Sequence, residues 1–73
     1  MGYYKIVSKK ELLEHLQGLP IPIIEALKQK PFKYAVIYVR EFWYPNIVSF
    51  HKNKKRALEK FEKMKKKYGN RLP

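Results

Sequence analysis

The chain has 73 residues, 17 Lys or Arg against six Glu, no Asp, no Cys, and a formal net charge of +11. That length allows one small domain, marginal unless it packs well. The missing Cys excludes a disulfide framework and thiolate metal sites, and no apolar run approaches the ~20 residues of a membrane span.

Met1-Gly2-Tyr3-Tyr4-Lys5 does not lead into a signal-peptide core, so cytoplasmic residence is the expectation. Tyr3-Tyr4-Lys5-Ile6-Val7 reads as a short strand. Ser8 and Glu11 then fit a capping box, with Ser8 at N-cap and Glu11 at N3, while Val7 and Leu12 occupy the hydrophobic-staple positions. The helix that follows carries Leu12, Leu13 and Leu16 on one face and stops at Gly18. Pro20 and Pro22 impose an extended approach to a second short helix over 22–30, with Pro22 at N1 and Pro31 ending it. Leu19, Ile21, Ile23, Ile24 and Leu27 are too apolar for a loose linker. Buried, they are the lid of the core, which is the expected arrangement; exposed, they are a partner-binding surface.

Residues 33–42 form the clearest strand, rich in Tyr, Val and Ile. Trp43-Tyr44-Pro45-Asn46 reads as a turn, and 47–51 as the return strand. This register sets Phe42 against Ile47, Arg40 against Ser49, Val39 against Phe50 and Tyr38 against His51. One face then holds Ala35, Ile37, Val39, Val48 and Phe50, a core face. The other gathers Tyr34, Tyr38, Arg40, Ser49 and His51. Asn53 caps a last helix that runs to Tyr68, with Gly69 at C′, and residues 70–73 are expected to fray. The order β-α-(α)-β-β-α predicts a single α+β domain over residues 1–73, a small antiparallel sheet with helices packed on one face.

Residues 51–69 carry nine Lys or Arg and two Glu, so 9 − 2 = +7 of the net +11 lies there. On a helical wheel Ala57, Leu58, Phe61, Met64 and Tyr68 fall within about a third of the circle, the width of a core-facing stripe. Lys55, Glu59, Glu62 and Lys66 form one flank, where acid and base are helical neighbours and compensate each other. Arg56, Lys60, Lys63 and Lys67 form the other, uninterrupted by Glu. Like charges at this spacing repel, and a bound polyanion relieves that repulsion. Lys52, Lys54 and Lys55 add charge at the helix start, where backbone N–H groups also favour anions. Against this stands the simpler reading of a solvated Lys-rich helix back, common in thermophilic proteins, whose composition this chain shares. Tyr34, Tyr38, Arg40 and His51 could add a stacking platform for single-stranded nucleic acid, unless the 12–30 segment covers that face and makes the rings core. Trp43 and Tyr44 at the hairpin tip are typical interface anchors.

No nucleophile–base pair, Gly-rich phosphate loop or metal-ligand cluster appears, so no enzyme activity, metal or cofactor is expected; nor is a membrane or a small-molecule substrate. The leading expectation is a binding module of DNA or RNA metabolism that grips the nucleic-acid backbone through Lys52, Lys54, Lys55, Arg56, Lys60, Lys63 and Lys67. The alternative is a small regulator that docks an acidic protein through Leu19, Ile21, Ile23, Ile24, Leu27, Trp43 and Tyr44.

Gln17-Gly18-Leu19-Pro20-Ile21 begins with a Gln followed by aliphatics, without the paired aromatics of the standard clamp-binding box. In size, basicity and composition the chain resembles the small basic proteins of Thermococcales archaea that bind the sliding clamp, proliferating cell nuclear antigen, and disrupt its ring. The resemblance implies a protein inhibitor whose positive face meets the acidic clamp and whose 19–27 segment fills the clamp's hydrophobic groove.

Overall fold

The computed structural model describes residues 2–73. Six elements follow in order: β1 (Tyr3–Ser8), α1 (Lys9–His15), α2 (Ile21–Gln29), β2 (Tyr34–Val39), β3 (Asn46–His51) and α3 (Lys54–Tyr68). The strands make one antiparallel sheet in the order β1-β2-β3. The α+β class and the element order are those the sequence predicts.

Both capping signals act as physical chemistry requires. The Ser8 hydroxyl accepts from the Glu11 backbone N–H, and Val7 and Leu12 are buried in one cluster. Glu11 does not return to the Ser8 backbone; its carboxylate pairs with Lys5 at 2.7 Å, tying the helix start to β1. At α3 the Asn53 side chain accepts from the Arg56 N–H, and Gly69 ends the helix at positive φ.

The helices occupy both faces of the sheet, where the sequence reading placed them on one. Ala35 and Ile37 pack with Val7, Leu12, Leu16 and Phe32, the side of α1 and α2. Val36 and Tyr38, which alternate with them along β2, pack with Tyr4, Ala57 and Met64, the side of α3. So β2 is covered above and below, and Ala35, Val36 and Ile37 have no exposed surface. The result is a thin three-layer slab, 34 × 29 × 16 Å.

Four further expectations are corrected. The hairpin connection is residues 40–45, not 43–46, and Ala35 faces Phe50, Tyr34 faces His51 and Tyr38 faces Asn46. Pairing skips Val48, a β-bulge that moves Val48 to the α3 side and Ile47 to the other. The tail, expected to fray, lies against the fold here: Tyr4 and Tyr38 donate their hydroxyls to the carbonyls of Arg71 and Asn70, and Leu72 packs on the α3-side cluster. Finally, α2 is an incomplete lid. It has no buried residue; Leu19, Ile24 and Leu27 lean on the core, while Ile21 and Ile23 point outward.

Candidate functional site

The basic flank of α3 is built from the cap outward. Asn53 fixes the helix start just after β3 ends at His51, so the first turns of α3 lie beside the end of β3. Ala57 and Met64 are buried, and Phe61 and Tyr68 are half-buried. Leu58 is the exception in the expected core stripe, being largely exposed. With that face down, Arg56, Lys60 and Lys63 rise along the β3 side of the helix. Together with Phe50, His51, Lys52 and Asn53 they enclose an open groove of about 510 Å³. Glu59 lines it too, so the lining carries four cations and one anion, 4 − 1 = +3 with His51 neutral.

None of those four cations has an acidic partner within 4 Å. Among the described residues the two ion pairs are Lys5–Glu11 and Lys28–Glu25, both remote from the groove. The expected compensation on the opposite flank is not realised either: Lys55, Glu59, Glu62 and Lys66 form no ion pair, and Glu59 belongs to the groove instead. His51 registers the resulting field. Its Nε2 lies 2.7 Å from the Ser49 hydroxyl. Its pKa is lowered, first by burial and then by Lys60 and Arg56.

Lys67 continues the stripe one turn beyond the groove, its ammonium 5.3 Å over the Tyr68 ring. Lys54 and Lys55 are exposed at the helix start but do not line the groove. The sequence reading assigns His51 to the stacking platform; the structure places it in the basic groove instead, directly before Lys52.

The stacking platform is not presented. Tyr38 is buried, edge-on to Tyr4 with ring centres 5.0 Å apart, and its hydroxyl is committed to the tail. Tyr34 is half-buried in the same cluster. Arg40 sits in the hairpin loop, bonded to Asn46 Oδ1 at 2.6 Å. The cause is α3, rather than the 12–30 segment, lying over that face.

The opposite face carries a second, apolar groove. Leu16, Leu19, Pro22, Ile23, Ala26, Leu27, Tyr44, Pro45, Ile47 and Phe50 line it, with Lys30 its one charged lining residue. Lys30 is itself turned over the Phe50 ring at 4.9 Å. Thus Leu19, Ile23, Leu27 and Tyr44 of the alternative surface do come together, while Ile21, Ile24 and Trp43 lie outside this groove. Among the described residues no three His, Cys, Asp or Glu converge as a metal site. No protein-family model, curated protein or solved structure matches the chain.

Proposed function

We propose that the protein is a non-enzymatic module that binds nucleic acid by its phosphate backbone in the groove between β3 and α3. The observation that carries this reading is the convergence of Lys52, Arg56, Lys60 and Lys63 around His51 without an acidic partner. Four cations held at one lip repel one another; phosphates offset that repulsion and release the counterions of the polyanion. Lys67 extends the track along the helix. Lysine ammoniums dominate, and they act as point charges on phosphate rather than as forks on guanine edges. Binding is therefore positional and largely indifferent to sequence. With Tyr38 inside the fold, single strands gain no stacking on the sheet, so duplex is preferred or strands are not distinguished.

The test is a salt titration against labelled single- and double-stranded oligonucleotides of several sequences, beside an Arg56/Lys60/Lys63/Lys67→Glu variant. The expected result is steep salt dependence, little sequence preference and loss of binding in the variant. Affinity no tighter than ~10⁻⁴ M at physiological salt, the weak end of non-specific binding, would overturn the reading. The groove would then be a solvated helix back or a seat for an acidic protein, and the sliding clamp would be the first such partner to test.

A further inference from the structure

The hairpin loop and α2 place a knob and a hole side by side. Phe42 is 97% exposed and Trp43 73% exposed. Phe42 is also held at φ 67°, the left-handed region that residues other than Gly seldom occupy. The chain thus accepts backbone strain to present an aromatic ring to solvent, a pattern associated with functional segments. Next to this knob lies the apolar groove, about 750 Å³, between α2 and the hairpin. Tyr44 and Pro45 form its near wall and also border the hollow beneath Phe42 and Trp43. Gly18 lets the two sides approach: a Cβ there would come within 2.9 Å of the Tyr44 hydroxyl.

Charge decides what this face can meet. α1 carries two Lys and two Glu, 2 − 2 = 0; α2 carries Lys28 and Glu25, 1 − 1 = 0; the 40–45 loop carries Arg40 and Glu41, 1 − 1 = 0; Lys30, which lines the groove, leaves the face at +1. α3, on the other face, carries eight cations and two Glu, 8 − 2 = +6. An acidic partner would find one cation in the groove, Lys30, and that ammonium is already turned over the Phe50 ring. A second copy meets one Lys30 per protomer there, far less repulsion than the +6 of α3 would impose.

We propose that this face is the interface of a symmetric homodimer, in which Phe42 and Trp43 of each copy seat in the other copy's groove between α2 and the hairpin. A two-fold interface requires one self-complementary patch, and a knob beside a hole on one surface is such a patch. The two rings offer roughly 300–400 Å² per copy. Ile21, Ile23 and Tyr44, also exposed, supply more toward the ~800 Å² per side of a standard interface. The inference does not rest on nucleic-acid binding.

Sedimentation velocity on the full chain, from micromolar to sub-millimolar concentration, tests it. The expected species has twice the 8.9 kDa chain mass, and its dissociation is insensitive to salt. Phe42→Ser/Trp43→Ser removes the knob and Ile23→Lys blocks the hole; each alone is expected to give a monomer with unchanged far-UV circular dichroism. Mixing the two leaves one intact knob-in-hole contact, so a weaker heterodimer should return. A monomeric wild type overturns the proposal, as does a dimer that survives both variants. A mixture that stays monomeric overturns it as well.

Discussion

Replacing Lys60 and Lys63 together by Gln removes two of the five cations in the groove and its extension, Lys52, Arg56, Lys60, Lys63 and Lys67. If each cation neutralises one duplex phosphate, the plot of log affinity against log salt falls with a slope of about −4.5, and of about −2.7 in the variant, at ~0.9 per phosphate. Between ~50 and ~200 mM salt the wild type then loses roughly 500-fold in affinity and the variant roughly 40-fold. Fluorescence anisotropy on a labelled duplex at fixed pH reads both slopes. The substitution also removes like-charge neighbours from an exposed helix flank, so folding should not suffer. Lys55→Gln/Lys66→Gln is the matched control, taking the same charge from the opposite flank. Its slope should equal that of the wild type. Equal slope losses in the two variants would refute the reasoning, because binding would then follow total charge and owe nothing to the groove.

The remaining predictions concern single groups. Glu59→Gln removes the acid that lines the groove; at ~8 Å in water a carboxylate costs a bound phosphate about 0.5 kcal/mol, so affinity should rise about twofold, and weaker binding in the anisotropy assay would place the phosphates elsewhere. The pKa of His51 is lowered by burial, then by Lys60 and Arg56, so its contribution to stability is present above its unfolded value near 6.5 and is lost as pH falls through the lowered folded value. A bound polyanion offsets those two cations, so between about pH 7.5 and 5.5 affinity should rise more in the wild type than in His51→Gln; parallel curves would remove His51 from the site. The Tyr4 phenol is raised above 10.0 by burial, then by Tyr38 and Tyr68, so its contribution is present below the unfolded value and is lost as pH rises through the folded one. Thermal melts should therefore fall more steeply above about pH 10 in the wild type than in Tyr4→Phe, which at neutral pH gives up the bond to Arg71, worth about 0.5–1.5 kcal/mol.

Local signals were read correctly where the physics is local. Ser8, Val7 with Leu12, Asn53 and Gly69 set helix ends through contacts within a few residues, and each acts as its position predicts. Hairpin register is not local in this way. Residues 40–45 contain no Asn-Gly or Asp-Gly pair to pin a tight turn, and Phe42-Trp43-Tyr44 has strand-like composition, so the left-handed Phe42 and the bulge at Val48 left no trace in the sequence. The two-sided sheet was legible and passed over. Tyr34-Ala35-Val36-Ile37-Tyr38-Val39 has no polar alternation at all, the mark of a strand covered on both faces. Reading it so would have placed Tyr38 in the core and emptied the stacking platform. Arg56, Lys60 and Lys63 share one flank of α3 because that placement depends on helical periodicity alone.

The two tyrosine hydroxyls that hold the tail also shape how the chain finds its fold. Tyr4 reaches a carbonyl 67 positions away and Tyr38 one 32 positions away. β1 pairs with β2 across 34 − 8 = 26 to 39 − 3 = 36 positions. β2, β3 and α3 are consecutive neighbours that can meet early, at small loop-closure entropy, and so are β1 and α1 with each other. β1 and the last residues must be brought in over long stretches of chain, and such contacts slow folding. The expected order therefore has the pairing of β1 with β2 and the two tail bonds forming late, and slowed refolding on lengthening the 16–20 connection would check it.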